Sequence, residues 1–325
     1  MKHKSMLKAG ILVLAAVPLA AADKPVSLFP KLHAGQKLLY LVRYRADTDA
    51  KTQSRVVVPM APTASQVDAH GLLKIEIVEL RQQGTRFAVH ARARFLTLDS
   101  GVWLKKPDDK TPNWNVERVD PEGKTIDFTI SAVGQLENIT GLDTLLLDQQ
   151  RAWWEWETRF ALAWSLPTDV VKLNENWKSV QPFGAGTPIA GLDWASESVY
   201  VRDEPCQPSE LALTGEISAA SGPSDLCAVL LTSATLKQSS SPKNATPEDY
   251  KLHNLRTAGI ANGTSRLITY ISLSTGLVIR ATEESAQHMD VVVALADHSN
   301  SVRYKVEAKS NSQVLLIGET PLTKP

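Results

Sequence analysis

Between residues 86 and 95 the chain changes character at almost every step. Phe87, Val89, Ala91, Ala93 and Phe95 alternate with Arg86, His90, Arg92 and Arg94. A period of two is the repeat of a β-strand with one face buried and the other in water. The same alternation returns in Val302, Tyr304, Val306 and Ala308 set against Arg303, Lys305, Glu307 and Lys309. Shorter versions occur at Leu38, Tyr40, Val42 and Tyr44, at Ile126, Phe128 and Ile130, and at Met289, Val291, Val293 and Leu295. Gln82-Gln83-Gly84, Pro121-Glu122-Gly123 and Ser274-Thr275-Gly276 supply turn chemistry between successive runs. Short glycine-containing connections join antiparallel neighbours, whereas parallel strands need long crossovers. The expected fold is mainly β (a β-rich α+β protein) with antiparallel meander sheets, arranged as a half-barrel or as two β-domains.

One segment departs from this period. Leu142, Leu145, Leu146, Trp153, Trp156, Phe160 and Ala163 recur at helical spacing, Thr140 and Asp143 resemble a capping box, and Pro167 stands as a stop. The spacing predicts one long amphipathic helix over about 141–165. A change in composition after it suggests four divisions. These are a signal peptide at 1–22, a β-meander with the long helix at 23–167, a linker at 168–192, and a second β-rich half at 193–325. Polar stretches at 59–65, 106–113 and 238–248 read as mobile.

The first residues place Lys2, Lys4 and Lys8 before an apolar run at 9–19 and the small residues Ala20, Ala21 and Ala22. That order predicts a cleavable export signal and a periplasmic or extracellular location. The run is too short to span a bilayer, and no longer one follows, so no transmembrane span is expected in the mature chain. Removing 1–22 takes away three lysines and no acid, leaving 32 basic against 35 acidic side chains. A slightly acidic balance argues against a nucleic-acid partner. In an exported chain the two cysteines, Cys206 and Cys227, read as a disulfide.

Trp153, Trp154, Trp156 and Trp164 are half of the eight tryptophans and fall on the expected helix. They are candidates for lining an apolar ligand groove, although Trp153 and Trp156 lie where a helix anchors to its core. Trp154 falls off that stripe and needs another partner. The stripe of Arg86, His90, Arg92 and Arg94 offers a surface for an anionic partner, or else an ordinary solvated sheet face paired with neighbouring acids. No catalytic residue, metal site or cofactor is indicated. There is no Gly-x-Ser-x-Gly elbow, the histidines are scattered, Ser240 and Lys243 match Ser-x-x-Lys only within a low-complexity stretch, and Gly184 and Gly186 are too few for a phosphate loop.

The strand runs at 87–95 and 302–308, with the tryptophan-rich helix, give a layout that resembles exported bacterial envelope proteins and, more distantly, the half-barrel carriers that shuttle lipids or lipoproteins through the periplasm. The resemblance is one of architecture and transfers no residue. The aromatic density on the helix, without any catalytic constellation, points to a non-enzymatic protein holding a hydrophobic small molecule or lipid-like ligand between sheet and helix. The alternative is a structural or interaction module that docks an envelope protein. A hydrolase ranks third, with Glu155 and Glu157 as the carboxylates to test.

Overall fold

The computed structural model describes residues 25–54, 63–105, 113–115, 124–161, 166, 170–183, 187–206, 225–297 and 300–319. The expected signal peptide lies outside them. The strands are β1 (Lys37–Ser54), β2 (Thr63–Gln83), β3 (Arg86–Lys105), β4 (Asn113–Asn115), β5 (Ile126–Ile130), β6 (Leu136–Thr140), β7 (Asn176–Pro182), β8 (Leu192–Pro205), β9 (Leu226–Gln238), β10 (Leu255–Ser272), β11 (Val278–Leu295) and β12 (Ser301–Glu319). All twelve belong to one sheet with the order β6-β5-β3-β2-β1-β12-β11-β10-β9-β8-β7, and β4 pairs with β3. Every pairing is antiparallel. The sheet is a meander on each flank, and the flanks meet where β1 pairs with β12, from Leu38↔Glu319 to Ser54↔Val302. β7 forms within the stretch 168–192.

Alternation assigns the two faces. Leu38, Tyr40 and Val42 are fully buried while Arg43, Arg45 and Asp47 are exposed. Across the sheet, Tyr40 stands opposite Leu73 on β2 and Leu316 on β12. Against this inner face lies helix α1 (Leu147–Phe160), which touches β1, β2, β3, β11 and β12. Its Trp153 and Trp156 are wholly buried. Trp156 stacks on Phe160 at 4.8 Å, tilts over Tyr40 at 5.9 Å and meets Phe128 edge-on at 5.8 Å, while Trp153 meets Phe128 at 5.4 Å. An aromatic ring that buries on the order of 200 Å² contributes up to about 5 kcal/mol of transfer free energy.

The helix is shorter than its apolar spacing predicts: 14 residues in place of the span 141–165. Gly141 sits in the left-handed region at φ 81°, Leu142–Thr144 make one 3₁₀ turn, and Leu145 and Leu146 are extended. Leu142, Leu145 and Leu146 thus mimic a helical stripe from a turn and a cap. The cap is made by Gln149, whose Oε1 accepts from the Leu146 N–H at 3.1 Å, and Thr140 instead closes β6. Residues 162–165, with Trp164, lie outside the described residues.

Register shifts fall at Leu39/Tyr40, Leu72/Leu73, Ile77/Glu79, Asp127/Thr129, Tyr200/Arg202 and Tyr270/Ile271. Bulges bend a strand and raise its twist, which lets long strands wrap α1. Gly71 is required beside one of them, because a Cβ there would meet the Thr97 carbonyl oxygen at 2.4 Å. The stretch 238–248, expected as mobile, is pinned. Gln238 donates to the Gly259 carbonyl at 3.1 Å and accepts from the Ala261 N–H at 3.0 Å, and Ala245, wholly buried, donates from its backbone to Thr257 at 3.0 Å. It closes a small second core of Ile189, Leu192, Leu236, Ala261 and Val291.

The cysteine pair is a disulfide, Cys206 to Cys227, with Cα atoms 5.1 Å apart where β8 ends and β9 begins. No helix among the described residues is long and apolar enough to cross a membrane.

Candidate functional site

Successive helical residues are 100° apart, so α1 presents two faces. Ala152, Trp153, Trp156, Glu157 and Phe160 are buried. Trp154, Glu155, Thr158 and Arg159 instead border a cavity of about 280 Å³ between the helix and the inner face of the sheet. Trp154 is 38 % exposed and meets the buried Trp153 edge-on at 4.8 Å. Of the four tryptophans singled out by sequence, Trp153 and Trp156 are core anchors and Trp154 reaches the cavity.

The sheet side of this cavity is made of small hydroxylated residues. Reading across the strands, Ser198, Thr232, Leu267, Glu283, Ser312 and Tyr44 stand in one transverse row. Ser179, Ser196, Ala234, Ser265, Ser285 and Ser310 form the next. Hydroxyls bond across neighbouring strands: Ser179 with Ser196 at 2.7 Å, Ser198 with Thr232 at 2.8 Å, and Ser285 with Ser310 at 2.7 Å. Trp177 and Trp194 close the flank on β7 and β8.

At the centre lies an ionic cluster. Arg159 pairs with Glu155 at 3.1 Å, one helical turn back, and with Glu283 on β11. It also donates to Thr158 Oγ1 at 2.9 Å and Ser312 Oγ at 3.4 Å, while Ser265 donates to Glu283. The guanidinium is nearly buried, its side chain 9 % exposed. Burial pushes the Tyr44 phenol above its ordinary pKa, and the nearby Glu155 charge adds to this. A buried arginine requires such partners, since an unpaired charge in this setting is strongly destabilising.

Glu157, two residues from Glu155, points the other way. It is buried, and loss of solvent pushes its carboxyl pKa up to about 7 against a partial opposing effect of Arg159. The two helix carboxylates flagged by sequence therefore occupy different environments and do not form a pair. Among the described residues no group of three or more His, Cys, Asp and Glu gathers as a metal site.

Two further spaces adjoin at Gln287, which borders them as well as the hydroxyl-lined cavity. One is a small apolar recess between Phe183, Leu236, Met289 and Val306. The other is an open depression of about 600 Å³ where Trp103 and Ala308 stand among the charged side chains of Asp47, Asp49, Glu307 and Lys309.

The basic stripe stands elsewhere, on β3. Arg92 pairs with Asp127 of β5 at 3.0 Å, and His90 lies 3.7 Å from the same carboxylate. Arg86 donates to the Leu166 carbonyl at 3.1 Å and lies over the Phe29 ring, while Arg94 is exposed.

Sequence reasoning missed Arg159, Glu283, Trp177, Trp194 and the serines. The available signal was hydroxyl residues at inward strand positions, such as Ser196 with Ser198 and Ser310 with Ser312. Its meaning depends on strand order, which no local pattern carries.

No family model matches the chain, and no curated protein matches it. Among solved structures it is similar to a lipovitellin described for its lipid–protein interactions, at 10% identity and a TM-score of 0.38, over 90% of this chain and 26% of that one. It is similar to a Parabacteroides distasonis protein described as a lipoprotein, at 7% identity and a TM-score of 0.24, over 91% and 100% of the two chains. It is also similar to Pseudomonas aeruginosa OccK7 (OpdD), at 8% identity and a TM-score of 0.20, over 87% and 100%. Overlaps of this depth carry no argument about ligand or chemistry.

Proposed function

We propose that this chain is an exported, non-enzymatic binding protein that holds a ligand with an apolar portion between α1 and the inner face of its sheet. The observation that carries the reading is the orientation of Trp154. Its neighbours Trp153 and Trp156 are consumed by the core, whereas this ring borders a cavity flanked by two further indoles. Cavities of a few hundred Å³ with apolar walls and a few convergent polar groups are the usual form of small-ligand sites. The disulfide supports a place outside the cytoplasm, where such bonds persist.

The test uses N-phenyl-1-naphthylamine, a neutral apolar dye, titrated into the mature protein. Saturable binding that Trp154→Ala weakens, with the melting temperature nearly unchanged, is the expected result. Absence of saturable binding, together with a clean mass in native mass spectrometry after gentle purification, would sink the reading.

A further inference from the structure

We infer that the polar end of the ligand is an uncharged, hydroxyl-rich headgroup of the polyol or glycosyl kind, seated on the serine and threonine band beside Arg159. The inference rests on the carrier reading above and adds the chemistry of the head.

Charge is the first argument. Arg159 brings one positive charge to the cavity and Glu155 and Glu283 bring two negative ones, so the cluster is formally −1. Arg151 is exposed on α1 and acts on Tyr44, but it does not border the cavity. The Arg159 guanidinium, the group that would grip a phosphate, is already committed to both carboxylates and to the Thr158 and Ser312 hydroxyls. Anion recognition depends on charged donors that are free to point at the ligand. A phosphate or carboxylate head would meet two carboxylates and a spent cation.

Donor and acceptor arithmetic is the second. In each cross-strand hydroxyl pair one O–H is used between the partners, and the second hydrogen and several lone pairs remain, except that Ser196 also donates to the Ser179 carbonyl at 3.4 Å. Ser179 with Ser196, Ser198 with Thr232, and Ser285 with Ser310 repeat this motif across the wall. Gln181 and Gln287 add amides that both donate and accept, and Tyr44 stays neutral. A surface that mixes donors and acceptors without net positive charge matches a partner that does the same, as a sugar or polyol does.

Shape is the third. The band is bounded by the Trp154 ring on one side and by Trp177 and Trp194 on the other, which offer apolar platforms to the C–H faces of such a head. Gln287 also borders the open 600 Å³ depression, where Ala64, Trp103 and Ala308 offer apolar contact to an attached chain.

The experiment is competition against N-phenyl-1-naphthylamine, with dodecyl maltoside and dodecyl phosphate below the concentrations at which they form micelles. The tails are identical, so only the heads differ. Dodecyl maltoside is expected to displace the dye at concentrations about tenfold lower, the scale of one or two net hydrogen bonds. The double variant Ser285→Ala/Ser310→Ala should weaken the maltoside several-fold and leave dye affinity within about twofold. Glu155→Gln should strengthen dodecyl phosphate relative to the maltoside and so narrow the difference between them. Equal or tighter binding of the phosphate, or a maltoside preference that survives the double serine variant, would overturn the inference while the carrier reading stands. Failure of the dye itself to bind would overturn both.

Discussion

Under α1 the inner face of the sheet is aromatic and closed, while one transverse row farther along the same strands it is hydroxylated and open. On β1 the change falls between Val42 and Tyr44, and on β12 between Val314 and Ser312. The closed region is held by area. Tyr40, Trp153 and Trp156 are fully buried, yet the Tyr40 hydroxyl and both indole N–H groups find no hydrogen-bond partner among the described residues. The open region is held by pairing, through the hydroxyl couples and the Arg159 cluster, with little large apolar burial. An unpaired buried polar tip costs about 1–3 kcal/mol, which two buried tryptophans, one of them stacked on Phe160, can outweigh. The same strands thus pass from packing held by area to packing held by pairing within two residues of length.

This contrast can be broken in order of expected size. Trp156→Ala should cost about 3–5 kcal/mol in denaturant unfolding, as large aromatic truncations in cores do. A loss below 1 kcal/mol would mean that α1 is not an anchored element. Next comes Glu157. An acid whose pKa is higher folded than unfolded binds more protons in the folded state between the two values. The folded form is therefore favoured at and below the ordinary carboxyl pKa of 4.5, and that advantage is lost as pH rises to about 7. The change amounts to about 3 kcal/mol at 1.36 kcal/mol per pKa unit, read as the difference between unfolding free energies at pH 4.5 and 7.5. Glu157→Gln should flatten the profile, and an unchanged profile would place the titration elsewhere. Reduction of Cys206–Cys227 should cost a similar amount, about 3 kcal/mol for a loop of this length, measured with and without reductant. Smallest is Trp154→Ala, expected to shift stability by less than about 1 kcal/mol while lowering dye affinity, because the ring is partly exposed at the open region. A large loss of stability there would assign Trp154 to the core and erase the distinction between the two regions.

What could be read from the chain follows the range of each signal. Val89, Ala91, Ala93 and Phe95 are buried and Arg92 and Arg94 exposed, as a period of two requires, because strand alternation is local. Phe87 at the start of the strand departs from the pattern, being 40 % exposed. The antiparallel meander was legible from Gly84 and Gly276, both at positive φ in their turns. The helix was overextended because apolar spacing does not distinguish a 3₁₀ turn and an extended cap from two more helical turns. The cavity was illegible for a different reason. Its hydroxyls sit on six strands far apart in sequence, each at a position that elsewhere on the same strand carries an apolar residue. Arg159 drew no notice in the sequence, because its pairing depends on β11 placing Glu283 beside it.

The pairing of β1 with β12 has a consequence for how the sheet comes into being. Residues 37–54 find their partners at 302–319, so the central seam requires closure of a loop that spans most of the chain. Contacts of that sequence separation slow folding, and until they form β1 offers a long strand edge open to wrong partners. During synthesis the β1–β2–β3 flank would wait for the final strand, and an early-finished flank would be a hazard. Under the export proposed above, the same seam would act as a brake: β1 gains its second partner only once β12 has arrived on the far side.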